Sequence, residues 1–110
     1  MQTNSGKAII LATLAMALIV MSNGSVMAQD GKALYEAKLC TTCHGPEGKA
    51  PIMPVYPKLS GQNAAYLEQQ AKDIRDKKRT NGQTAAMQAL VAAVNDAEIK
   101  AIAAYLATVK

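Results

Sequence analysis

The chain has 110 residues, no Phe or Trp, four Tyr, and 12 basic against 8 acidic side chains for a formal charge of +4. The basic residues are dispersed and no large aromatic set accompanies them, which argues against nucleic acid as partner and suits docking on an acidic protein. A small domain without Phe or Trp is marginal on its own apolar burial, so a disulfide, metal or cofactor is expected to complete its core.

In chain order, Lys7 precedes an unbroken apolar run from Ala8 to Met21. That run is shorter than the roughly 20 residues of a transmembrane helix. The segment SNGSVMA follows, with Val26 and Ala28 three and one residues before a cut at Gln29. The pattern predicts an export signal over residues 1–28, cleaved near Ala28, a periplasmic location, and a single domain over 29–110 that is not inserted in a membrane.

No stretch alternates apolar and polar residues as a half-buried strand does, so the domain reads as all-α with three main helices. Asp30 is placed to cap a first helix to about Leu39, with Ala33, Leu34 and Ala37 on one face. Residues 45–62 hold all four prolines and form a long loop, whose order would follow from wrapping a ligand. Asn63 then caps a helix to about Arg79, with Leu67, Ala71 and Ile74 as its buried stripe and Lys77, Lys78 and Arg79 in its last turn. A short Ala-rich helix is expected after Met87. Asn95 and Glu98 form a capping-box pattern that opens the last helix, whose stripe is Ile99, Ile102, Ala103 and Leu106 beside Tyr105.

Both cysteines and the only histidine stand together in CTTCH. In a helical turn Cys40, Cys43 and His44 occupy i, i+3 and i+4 and project from one face. Two thiols can then bond one flat partner while the imidazole meets its centre, the arrangement of covalent haem attachment through two thioethers with histidine on the iron. Structural zinc needs four ligands where only three exist. A thioredoxin-like redox pair expects a βαβ context, and a disulfide closing so short a loop contributes little.

Of the methionines that remain after the export segment, Met87 and Met53 compete for the second axial position. Met87 is 43 residues beyond His44, with a whole helix between them to carry the chain to the opposite haem face, and is the favoured candidate. Met53 is near enough to reach, and an open iron is the third possibility. The other ring nitrogen of His44 needs an acceptor to fix the ring. The carbonyl of Pro54 is the chosen candidate, against the simpler reading that the prolines only stiffen the loop. Tyr35 and Tyr105 read as helix-packing residues, and Tyr56 and Arg79 lie where they can reach haem propionates or water.

Through GKALYEAKLCTTCHG, PVYPKLSGQNAAYLEQQ, KRTNGQTAAM and DAEIKAIAAYL, the chain resembles the small soluble class I c-type cytochromes of bacteria, in particular the single-haem halves of dihaem cytochromes. The resemblance implies the cytochrome c fold, thioethers at Cys40 and Cys43, axial His44 and Met87, the Pro54 carbonyl on His44, and a crossing of first and last helices near Gly31 and Tyr105. It also departs from the family at Ala89, where relatives often have a proline, and this bears on the rigidity of the Met87 segment. The function implied is a monomeric, exported electron carrier rather than an enzyme, with one haem c and redox proteins as partners. The alternatives are the haem-bearing subunit of a periplasmic dehydrogenase or oxidase, and an enzyme or gas sensor with an open iron.

Overall fold

The computed structural model describes residues 30–110, so the expected export signal over 1–28 and its expected cut lie outside the described residues. Among the described residues there is no strand; five α-helices and one 3-10 turn surround a cavity. The first helix, α1 (Gly31–Ala37), starts where the Asp30 carboxylate accepts the backbone N–H groups of Lys32 and Ala33 at 3.0 and 3.2 Å. Its buried side is Gly31 and Tyr35, whereas Ala33 and Ala37 are exposed. The expected alanine face is overruled by a close helix crossing. A Cβ on Gly31 would collide with the Ala101 carbonyl and lie 2.7 Å from the Tyr105 Cβ, so only glycine admits this approach. Tyr35 fills the space one turn on, with its ring centroid 6.1 Å from that of Tyr105.

Helix α1 stops two residues earlier than expected. The Cys40 N–H bonds the Tyr35 carbonyl and the Leu39 N–H bonds that of Glu36, each at 3.1 Å, while Leu39 sits at φ 64°. This is a Schellman ending with leucine where glycine is usual. It turns the chain directly into α2 (Thr41–His44), with Cys40 already in helical conformation at its start.

The proline loop is ordered by its backbone. After the 3-10 turn Pro46–Gly48, Ile52 N–H donates to the Cys43 carbonyl at 3.1 Å, Leu59 N–H to that of Gly48 at 2.9 Å, and Gly61 N–H to that of Leu106 at 2.9 Å. Helix α3 (Ala64–Arg75) begins at Asn63, whose side chain accepts the Tyr66 N–H, and it presents Leu67, Ala71 and Ile74 inward. It ends four residues short of Arg79, through a second Schellman pair: Lys78 N–H to the Asp73 carbonyl at 2.7 Å and Lys77 N–H to that of Ile74 at 3.2 Å, with Lys77 at φ 59°. The basic triplet therefore lies beyond the helix rather than in its last turn.

Helix α4 (Thr84–Val91) contains Met87 rather than following it. Ala89 is inside this helix, where a proline would lose a backbone hydrogen bond and strike the preceding turn. The departure at Ala89 thus lets the helix run through, and the segment carrying Met87 is held by helical hydrogen bonding. Helix α5 (Asp96–Thr108) opens with the expected capping box in full, Glu98 N–H to Asn95 Oδ1 at 2.9 Å and Asn95 N–H to Glu98 Oε1 at 3.1 Å. Ile74, Val91, Val94 and Ile99 form the core cluster, with Ala71, Met87 and Ile102 packed against it. Arg75 ties α3 to the start of α5 through Asp96 at 2.7 Å and the Val94 carbonyl at 3.1 Å.

Candidate functional site

The helices and the proline loop enclose a cavity of about 450 Å³. Cys40, Cys43 and His44 line one side from the α1–α2 junction, as their i, i+3, i+4 spacing requires. Leu67, Ala71 and Ile74 of α3, Met87, Leu90 and Val91 of α4, and Ile102, Ala103 and Leu106 of α5 complete apolar walls. Leu39, Val55, Tyr66 and Leu90 remain well exposed, yet all four border this cavity, so its rim presents apolar surface for a large apolar occupant to cover.

His44 is 6 % exposed. Its Nδ1–H donates to the Pro57 carbonyl at 2.8 Å, which leaves Nε2 as the nitrogen available for a ligand bond. Burial lowers the affinity of the ring for a second proton, only partly offset by the Pro57 carbonyl, so the imidazole is held neutral, the form that binds a metal. The carbonyl is that of Pro57 and not that of Pro54. Tyr56 N–H bonds the Met53 carbonyl at 3.1 Å, which puts Pro54 at the corner of a turn, exposed and off the cavity wall. The chain returns to the ring three residues later.

Cys40 and Cys43 are both free thiols. Burial pushes the Cys40 thiol up to about 11, so it stays protonated and neutral in this apolar setting. Among the described residues no cluster of three or more His, Cys, Asp or Glu side chains could hold a metal ion by itself. Tyr35, 1 % exposed, donates its hydroxyl to the Gly45 carbonyl at 2.7 Å and pins the turn that follows His44.

Met87 lines the same cavity as His44, whereas Met53 is 47 % exposed and lies outside it. Tyr56 and Arg79 also reach the wall. The lining includes Lys38, Lys58 and Arg79 but no Asp or Glu. A flat apolar group with acidic ends matches that wall in shape and in charge.

Residues 28–110 match the sequence profile of the family described as Cytochrome c. The chain belongs to the cytochrome c family. It is 36 % identical over 84 residues to the cytochrome c4 of Azotobacter vinelandii, covering 76 % of this chain and 40 % of that one. It is 34 % identical over 100 residues to the cytochrome c-553 of Nitratidesulfovibrio vulgaris, covering 91 % and 96 %. A protein of Stutzerimonas stutzeri named thiosulfate dehydrogenase electron acceptor is 34 % identical over 103 residues, covering 87 % and 45 %. The chain thus spans about two fifths of the length of its cytochrome c4 relative.

Family membership brings a covalently bound haem c, for which Cys40 and Cys43 with His44 form the attachment motif. The cavity fits it: two thiols and a neutral imidazole on one side, apolar walls, and cations without carboxylates. Two residues of the site escaped the sequence reading. Pro57 had no signal of its own, since its part is played by a backbone carbonyl, which every residue carries. Thr84 had none: it is 7 % exposed, and its hydroxyl has no hydrogen-bond partner among the described residues. Such burial costs about 1–3 kcal/mol unless an acceptor is supplied.

Proposed function

We propose that this cytochrome c domain is a periplasmic one-electron carrier in which His44 and Met87 are the two axial ligands of one haem c. The observation that carries the reading is that Met87 shares the cavity wall with His44 while Met53 stands outside it, half exposed. Bound haem supplies an iron that takes up and gives back one electron. The chain does the rest by holding still. The Pro57 carbonyl orients His44, the core cluster backs Met87, and apolar walls exclude water from the reacting centre. With a side chain at each axial position no place is left for substrate, which favours electron transfer over catalysis or gas sensing, and a thioether opposite histidine raises the reduction potential.

The test is the visible and near-infrared absorption of periplasmically produced protein, as wild type, Met87→Ala and Met53→Ala, in both oxidation states. A ferric sulfur-to-iron band is expected in wild type and Met53→Ala and lost in Met87→Ala. A wild type without that band, or one that binds carbon monoxide and cyanide as fast as five-coordinate haem proteins, would turn the reading toward an open-site enzyme or sensor.

The donor or acceptor has a second reading. The relative named thiosulfate dehydrogenase electron acceptor favours a dehydrogenase as partner, with this domain either diffusing to it or resident beside it. Size-exclusion chromatography of native extracts separates the two: a free carrier elutes as a small monomer, and a resident subunit elutes with the enzyme.

A further inference from the structure

At the corner between α3 and α4, three features call for negative charge. Thr84 is 7 % exposed and its hydroxyl has no partner among the described residues. Arg79 donates to Gln70 Oε1 at 3.1 Å and to Asn81 Oδ1 at 3.2 Å, both uncharged acceptors. Helix α4 opens with the Thr84 N–H on the Asn81 carbonyl at 3.3 Å but with no side-chain cap and no acidic residue in its first turn, so no charge of the chain answers the positive end of its dipole. Thr84 and Arg79 line the haem cavity together, and no Asp or Glu does.

We propose that Thr84 is a positioning residue, whose hydroxyl, together with Arg79, holds a haem propionate at the first turn of α4. Thr84 and Met87 are three residues apart on one helix, hence on one face. A carboxylate fixed at Thr84 therefore caps α4 and sets where Met87 stands. The cofactor supplies the cap that the sequence omits. The coupling to Met87 rests on the reading of Met87 as the sixth ligand, whereas the hydroxyl-to-carboxylate contact does not.

The two parts are read separately on holoprotein. Resonance Raman spectra report the propionate deformation mode, which shifts in Thr84→Val and stays as wild type in Thr84→Ser, both alone and in a Met87→Ala background. Imidazole titration of the ferric protein reports the hold on the sixth ligand. Thr84→Val, isosteric but without the hydroxyl, is expected to bind imidazole about tenfold more tightly than wild type, the scale of one charge-assisted hydrogen bond. Thr84→Ser is expected to match wild type, and Thr84→Ala, should the valine variant not accumulate, carries the same expectation as Thr84→Val. An unshifted propionate mode in the hydroxyl-free variant overturns the proposal. A shifted mode with unchanged imidazole affinity overturns the link to Met87 alone. Failure of the axial-ligand reading shows elsewhere, as a wild type without the sulfur-to-iron band.

Discussion

Leu39 and Lys77 each occupy the left-handed conformation at the end of a helix, at φ 64° and 59°, in a place where glycine carries no steric penalty. Lys77 is exposed and makes no ion pair within 4 Å among the described residues, so no salt bridge there offsets the strain. Lys77→Gly is expected to stabilise the holoprotein by about 1 kcal/mol, read as a higher midpoint in guanidinium unfolding. Leu39→Gly is expected to gain less, because the leucine borders the cavity and covers apolar surface there. These two positions also show what the sequence hides. A helix ending without glycine has no local mark, so both α1 and α3 read longer than they are. CTTCH was legible because its geometry is fixed within one turn. The His44 acceptor was misplaced from Pro57 to Pro54 because a backbone carbonyl has no residue type, and only the turn at Met53–Tyr56 decides which one faces the ring.

The elements most legible in the sequence are those whose starts are written in side chains. Asp30, Asn63 and Asn95 each cap the helix they were expected to cap, since the bond spans only two or three residues. The buried face of α1 was not legible in its own periodicity, because it depends on Gly31 meeting Ala101 and Tyr105 on a distant helix; the family resemblance alone pointed to that crossing. At the start of α5 the capping box also sets a pH response. The Asn95 backbone N–H, and after it Lys38 at 3.2 Å, hold the Glu98 carboxyl below its ordinary 4.5. The folded state therefore keeps this group charged at pH values where the unfolded chain has taken up a proton. The support it gives is present above about pH 4.5 and is lost as pH falls through the lower folded value. Glu98→Gln is expected to be less stable than wild type at neutral pH and to lose stability less steeply on acidification below that point, measured by unfolding midpoints across the range.

At the scale of the whole fold, few large apolar side chains are buried among the described residues: Tyr35, Ile74, Val91, Val94, Ile99 and Leu106. A chain this small needs more than that to offset its ordering entropy, and the porphyrin is the missing bulk. A Cys40→Ala, Cys43→Ala variant is expected to be largely unfolded by far-ultraviolet circular dichroism, and a native-like helical spectrum without haem would contradict this. That a cofactor belongs in the core could be inferred from composition, but not which walls would receive it, because the cavity is assembled by helices far apart in the chain. The crossing of α1 on α5 joins Gly31 to Ala101, 70 positions apart. Closing a loop of that length costs roughly 4 kcal/mol before the contact returns anything. The Cys40–His44 turn, by contrast, is purely local and can form first. On loop-closure entropy alone, the attachment turn is expected to form while the chain is still open, and the crossing of Gly31 on Ala101 is expected to be the late contact of this fold.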